Sequence, residues 1–92
     1  MKVRVRFFAR FRELLGNEIV AEVAEGTTVP DLVKQVTEKN SEGHTAIFDE
    51  NGQFREYVIL MRNAQRIDTA DAPKQIIADG DDIAVFPPVA GG

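Results

Sequence analysis

A chain of 92 residues with a formal net charge of −4 is long enough for one domain around a modest core. It is too short for a second domain enclosing a deep substrate cleft, so any chemistry is expected to be shared with a partner. The chain has no cysteine and a single histidine, His44, which excludes disulfides, a thiolate nucleophile and any cysteine or histidine-cluster metal site.

The acidic balance argues against nucleic acid as the main partner. Apolar runs of only a few residues fall far short of the ~20 needed to span a bilayer, and Met1 opens onto a strand-like alternation rather than a signal peptide. The expectation is a soluble cytoplasmic protein with no membrane partner. Charge is unevenly spread, with Lys2, Arg4, Arg6, Arg10 and Arg12 at the front and Asp68, Asp71, Asp79, Asp81 and Asp82 toward the back. The basic front can meet an acidic surface, although a solvated strand face is the preferred reading.

The opening MKVRVRFF alternates Val3, Val5 and Phe7 against Lys2, Arg4 and Arg6, the period-two pattern of a half-buried strand. Its solvent face ends on an exception, Phe8. A short turn or irregular helix, ARFRELLGN, leads through Gly16 and Asn17 into a second strand, EIVAEV, expected to pair antiparallel with the first. TTVPDLVKQVTEKN is the principal helix, because Val29, Leu32, Val33 and Val36 fall on one face. Thr28 is its expected N-cap, Pro30 sits where a missing N–H costs nothing, and Asp31 complements the positive helix start.

The helical pattern fades at NSEGH, where Gly43 reads as a stop and His44 as a residue of an exposed surface loop. TAIF and FREYVILM then flank DENGQ, whose Asn51-Gly52 pair suits a tight hairpin turn. Arg62 to Pro73 read as a loop with one short strand near Ile67, KQII as a brief helical turn, ADGDD as a polar turn and DIAVF as the last strand. These elements predict an α+β domain, a mixed sheet with one principal helix packed on one face. With the first and last strands as parallel central neighbours, this is the β-grasp, or ubiquitin-like, arrangement.

Familiar catalytic constellations are missing. GNEIVAEVAEG lacks the G-x-G-x-x-G spacing and no G-K-[ST] occurs, so there is no phosphate cradle. Asp79, Asp81 and Asp82 read as turn formers around Gly80 rather than a cation site, and no metal is expected. The chain is not expected to be catalytic by itself.

The tail PPVAGG carries the chemical argument. Pro87 and Pro88 fix φ and lack N–H donors, so strand pairing stops there and the domain at residues 1–86 gives way to an extended tail at 87–92. Six residues at ~3.3 Å each reach ~20 Å. Val89 and Ala90 are small, and Gly91 and Gly92 let a narrow partner channel close around the backbone. A partner must offset the entropy of ordering those glycines by backbone hydrogen bonds or by capturing the carboxylate. The plausible reacting group is therefore the α-carboxylate of Gly92. A carboxylate is a poor electrophile until it is adenylated, after which a sulfur nucleophile can displace AMP and leave a thiocarboxylate. A frayed end is the ordinary alternative for glycines alone, but the full sequence of strand, Pro-Pro, small residues and Gly-Gly is more specific.

RFFARFRELLG, TVPDLVKQV and DGDDIAVFPPVAGG together resemble the ubiquitin-like sulfur carriers, which include molybdopterin synthase small subunits and the archaeal small modifier proteins. The resemblance covers essentially the whole chain and is most specific at its C-terminal block. It implies a β-grasp fold and adenylation of Gly92 by an E1-like enzyme that uses ATP, with no stably bound cofactor on this chain. In one branch the thiocarboxylated tail inserts into the large synthase subunit and delivers sulfur in molybdopterin biosynthesis, the leading expectation. In the other branch Gly92 is conjugated to lysines of target proteins. A non-covalent interaction module with an inert tail is the third reading. One departure stands out: RNAQRI places Ala64 where the family often has glycine, so a differently built turn is expected there.

The resemblance also places the exception at Phe8. If Val3, Val5, Phe7, Ile83 and Val85 face inward, then Phe8 and Phe86 face outward on neighbouring strands. They would form an apolar partner-binding patch at the base of the tail, with Arg10, Arg12 and Arg62 as a polar rim.

Overall fold

The computed structural model describes residues 1–88. Strand β1 (Lys2–Phe7) buries Val3, Val5 and Phe7 and leaves Lys2 and Arg4 exposed, as the period-two alternation requires. It pairs antiparallel with β2 (Glu18–Glu22), Val3 opposite Ala21 and Val5 opposite Ile19. On its other side it pairs in parallel with β5 (Asp82–Phe86), Val5 opposite Ile83 and Phe7 opposite Val85. Strand β3 (Ile59–Arg62) runs antiparallel to β5, and β4 (Gln65–Ile67) closes a hairpin with β3. The sheet order is β2-β1-β5-β3-β4, a five-stranded mixed sheet with the first and last strands side by side.

Helix α1 (Ala9–Leu15) follows β1, and α2 (Val29–Thr37) follows β2. The Thr28 side chain accepts the Asp31 N–H at 3.3 Å and Pro30 occupies the first turn, so the start of α2 is built as the sequence predicts. Val29, Leu32 and Val33 are fully buried in one core with Val3, Val5, Phe7, Leu60, Ile83 and Val85, while Val36 packs at its margin. Burying each such side chain favours the fold by about 1.5–3 kcal/mol. This layering of a helix on one face of a mixed sheet is the β-grasp arrangement.

Several expectations are corrected. NSEGH does not end in a loop: α3 (Ser41–Ile47) begins there, with the Asn40 side chain as N-cap, accepting from the Gly43 N–H at 2.8 Å. Gly43 is a contact glycine rather than a stop, because a Cβ there would lie 2.6 Å from Leu15 Cγ. His44 therefore sits on a helix, half-buried, with Nδ1 3.1 Å from Thr37 Oγ1 and its ring against Phe48. TAIF is consequently the end of a helix and not a strand, and the expected hairpin shrinks to one bridge between Phe48 and Phe54. The helical turn expected at KQII lies earlier, as a 3-10 turn over Ala72–Lys74.

The last correction concerns Ala64. Asn63 and Ala64 both take positive φ, 50° and 69°, so the β3–β4 hairpin keeps the two-residue turn geometry that favours glycine despite having alanine. Contacts from Asn63 hold it: its side-chain amide donates to Asp81 Oδ1 at 2.9 Å and its Oδ1 accepts the Asp82 N–H at 2.9 Å.

Candidate functional site

The site grows from strand parity. Phe7 points into the core opposite Val85, so Phe8, one residue on, turns to the open face, and Phe86 does the same on β5. The Phe8 N–H still donates to Val85 O at 3.3 Å, which ties the end of β1 to the end of β5. Ala9 then adopts φ 52°, and the Phe8 carbonyl accepts from the N–H groups of Phe11 and Arg12 as α1 begins. These constraints lay the Phe8 ring on the Phe86 ring, 4.2 Å between centroids and 9° from parallel. Both residues are half-buried.

Cations flank the stack. The Arg12 guanidinium, one helical turn after Phe8, lies 5.9 Å from the Phe8 ring centroid, and that of Arg6 lies 5.5 Å away. Asp82 holds the basic strand in place, accepting from Arg6 Nε and Arg4 Nη2 at 3.0 Å each. Across β3, Ile59 sits opposite Phe86 and Met61 opposite Ala84, so the apolar surface continues past the stack.

The rim differs from the expected one. Arg12 belongs to it, Arg6 joins it, and Arg62 does not. Arg62 stands opposite Ile83, which puts its side chain on the core side of the sheet, where it pairs with Asp81 Oδ2 at 2.8 Å and donates to Gln75 at 2.9 Å. Arg10 is exposed. Parity along β3 is the signal that separates Arg62 from the patch.

Asp81 is buried among its partners. Burial pushes its carboxyl up, but the Ala78 N–H, the Asn63 amide and the Arg62 guanidinium outweigh that and hold it below the ordinary carboxylate value. Asp79 accepts the Lys2 N–H at 2.9 Å and the Gly80 N–H donates to Lys2 O at 2.8 Å. The acidic turn is thus a clasp between β1 and β5. Among the described residues no group of carboxylates and histidines is arranged to hold a metal ion.

Strand β5 ends at Phe86, and Pro87 is half-buried and Pro88 exposed outside any strand. The chain therefore leaves the sheet beside the Phe8–Phe86 stack. Val89, Ala90, Gly91 and Gly92, expected to thread and react, lie outside the described residues. No helix among the described residues is long and apolar enough to cross a membrane.

Sheet order, the parallel β1–β5 pair and the helical layer on one face define a β-grasp domain of the ubiquitin-like class. Residues 5–92 match the ThiS family model, and the chain belongs to that family of ubiquitin-like sulfur carriers and modifiers. It is 34% identical over 93 residues to small archaeal modifier protein 3 of Haloferax volcanii, covering 100% of both chains. It is 32% identical over 90 residues to the molybdopterin synthase sulfur carrier subunit of Escherichia coli, covering 98% of this chain and 99% of that one. The crystal structure of SAMP1 from Haloferax volcanii shares the fold, with a TM-score of 0.86 at 24% identity over 100% of both chains.

Proposed function

We propose that this protein is a sulfur carrier whose working group is the α-carboxylate of Gly92. An E1-like partner adenylates it: a carboxylate oxygen bonds to the α-phosphorus of ATP, and pyrophosphate leaves. Attack of a sulfur nucleophile on the acyl carbon then breaks the bond to AMP and leaves a thiocarboxylate. ATP and the sulfur donor belong to partners. The favoured destination of the sulfur is molybdopterin biosynthesis, in keeping with the name of the Escherichia coli relative, with the tail inserted into the large synthase subunit and the sulfur delivered to the pterin precursor.

The observation that supports this reading most directly is the flat Phe8–Phe86 stack at the point where β5 stops before Pro87. A rigid aromatic anchor beside a strand terminated by prolines gives a partner a fixed surface from which to capture an extended tail. Arg6 and Arg12 add positive charge to that surface and orient an approaching acidic partner.

Similarity to a small archaeal modifier protein favours a second reading, in which activated Gly92 is joined to lysine side chains of target proteins. The two share activation and part afterwards. Incubation with an E1-like enzyme, ATP and a sulfide donor should exchange one oxygen of the chain for sulfur, read by intact mass. Unchanged mass with an enzyme competent on another carrier rejects the sulfur-carrier reading, whereas absence of ATP-dependent pyrophosphate release as well rejects both. Denaturant-resistant, higher-mass species in cell extract that vanish on deleting Gly91 and Gly92 select conjugation over dedicated sulfur delivery.

A further inference from the structure

Strand β2 is one edge of the sheet, and its outer side is open over most of its length. Val23 and Met1 exchange backbone hydrogen bonds at 2.9 Å each, and the Phe7 N–H donates to Asn17 O at 3.0 Å. In an antiparallel ladder this alternation directs the backbone groups of residues 17, 19, 21 and 23 toward β1 and those of Glu18, Val20 and Glu22 away from it. The Glu22 carbonyl confirms the direction, because it accepts from Gln35 Nε2 of α2 at 3.0 Å. That bond closes one end of the edge; the N–H and C=O of Val20 remain free among the described residues. Val20 is also the most exposed large apolar residue among them, at 61%.

A groove lies directly beside this edge on the helical side, with a volume of about 280 Å³ and lined by Ile19, Ala21, Gln35, Val36, Glu38 and Lys39. Ile19 and Val36, half-buried at the margin of the core, give it an apolar floor. A strand added to β2 would place alternate side chains there, because residues flanking the one opposite Val20 point to the side on which Ile19 and Ala21 lie.

Charge selects the occupant. Glu18 and Glu22 stand on the open face on either side of Val20, and neither forms an ion pair among the described residues: Arg6, opposite Glu18, turns with Arg4 to Asp82 on the far side of β1, and Lys2, opposite Glu22, makes no ion pair with it. A second copy of β2 pairing antiparallel about Val20 would set Glu18 against Glu22 twice, and like charges directly opposite are unfavourable. An extended segment with an apolar centre and Lys or Arg two residues to each side meets the opposite situation.

We infer that the β2 edge is a second docking site, separate from the Phe8–Phe86 patch, which takes a basic-flanked extended segment of a partner protein as a sixth strand. The test uses the full chain and a capped heptapeptide, Thr-Lys-Val-Val-Val-Lys-Thr, followed by amide correlation spectra. Shifts should cluster at Glu18–Glu22, Gln35 and Val36, and the Val20 amide should gain protection from hydrogen exchange. Reversing both charges, Glu18→Lys with Glu22→Lys at exposed positions, should weaken binding about tenfold, and the peptide with Glu in place of Lys should bind that much less well to the unchanged protein. Val20→Pro removes the free donor without breaking the β1–β2 ladder and should abolish binding. Shifts centred on Phe8 and Phe86, equal binding of both peptides, no effect of the charge reversal, or no shift at millimolar peptide would each overturn the inference. Resonances of residues 18–22 that move with protein concentration alone would also overturn it, by giving the edge to a second copy.

Discussion

Phe8 stacks flat on Phe86, 4.2 Å between ring centroids, and joins the end of the first strand to the end of the last. The Phe8 N–H bond to Val85 O fixes the backbone beneath, so the rings act as one unit rather than two exposed side chains. Aromatic pairs in this geometry contribute about 0.5–1.5 kcal/mol beyond buried area. Urea unfolding of Phe8→Ala, Phe86→Ala and the double variant should give a coupling energy in that range, whereas additivity within about 0.3 kcal/mol rejects the pair as a unit. If the stack is the anchor for partners, either single change should also weaken binding of the activating enzyme by at least about 2 kcal/mol while the far-ultraviolet spectrum of the domain stays unchanged.

Asp81 makes the fold sensitive to acid in a defined direction. Its carboxyl lies below the ordinary carboxylate value in the folded protein, because the Ala78 N–H, Asn63 and Arg62 overcome the effect of burial. The folded state therefore binds that proton less tightly than the unfolded chain. The stability it contributes is complete above the unfolded value of about 3.9 and is lost as pH falls through the lower folded value. Asp81→Asn should lower unfolding free energy by about 1–3 kcal/mol near neutral pH, since it leaves Arg62 half-buried without its counter-charge. The gap from the unchanged protein should narrow below about pH 4, measured by urea titration across the acid range. A gap that stays constant with pH removes Asp81 from the acid response.

Ala64 holds φ 69° in a position where a Cβ is disfavoured, and Asn63 pays for it through its bonds to Asp81 and Asp82. A left-handed non-glycine residue costs about 1–2 kcal/mol, and glycine returns part of that through its freer unfolded chain. Ala64→Gly should therefore stabilise the domain by up to about 1 kcal/mol, seen as a higher melting temperature with an unchanged denaturant slope. Destabilisation would mean that the turn relaxes elsewhere and that alanine there carries no strain.

Periodicity made β1, β2, α2 and β5 legible because each buries one regular face, and strand parity alone placed Phe8 and Phe86 together on the open face. What escaped depends on partners distant in sequence. Gly43 resembles a helix stop, yet it lies inside α3 because Leu15 of α1 leaves no room for a Cβ there. Arg62 shares the parity of the buried Leu60 and so leaves the open face, but its partner Asp81 on the loop before β5 is apparent only from the β3–β5 register. The openness of β2 was equally hidden, since strand order decides which strand is left at the edge.

The carrier reading places all reactivity at one carboxylate, which makes it vulnerable to a single added residue. Core residues run only as far as Val85 among the described residues, and Pro87 already lies outside the sheet, so an alanine appended after Gly92 leaves every described packing contact in place. Its melting temperature should match that of the unchanged protein. The extra residue, however, moves the free carboxylate one step along the chain and adds a Cβ where a channel fitted to Gly91 and Gly92 has no space. Adenylation should fall below detection by pyrophosphate release, and the oxygen-to-sulfur mass change should vanish with it. Full activation of the extended chain, with intact mass showing that no trimming preceded it, would mean that the partner does not read the Gly-Gly end and that the reactive group lies elsewhere.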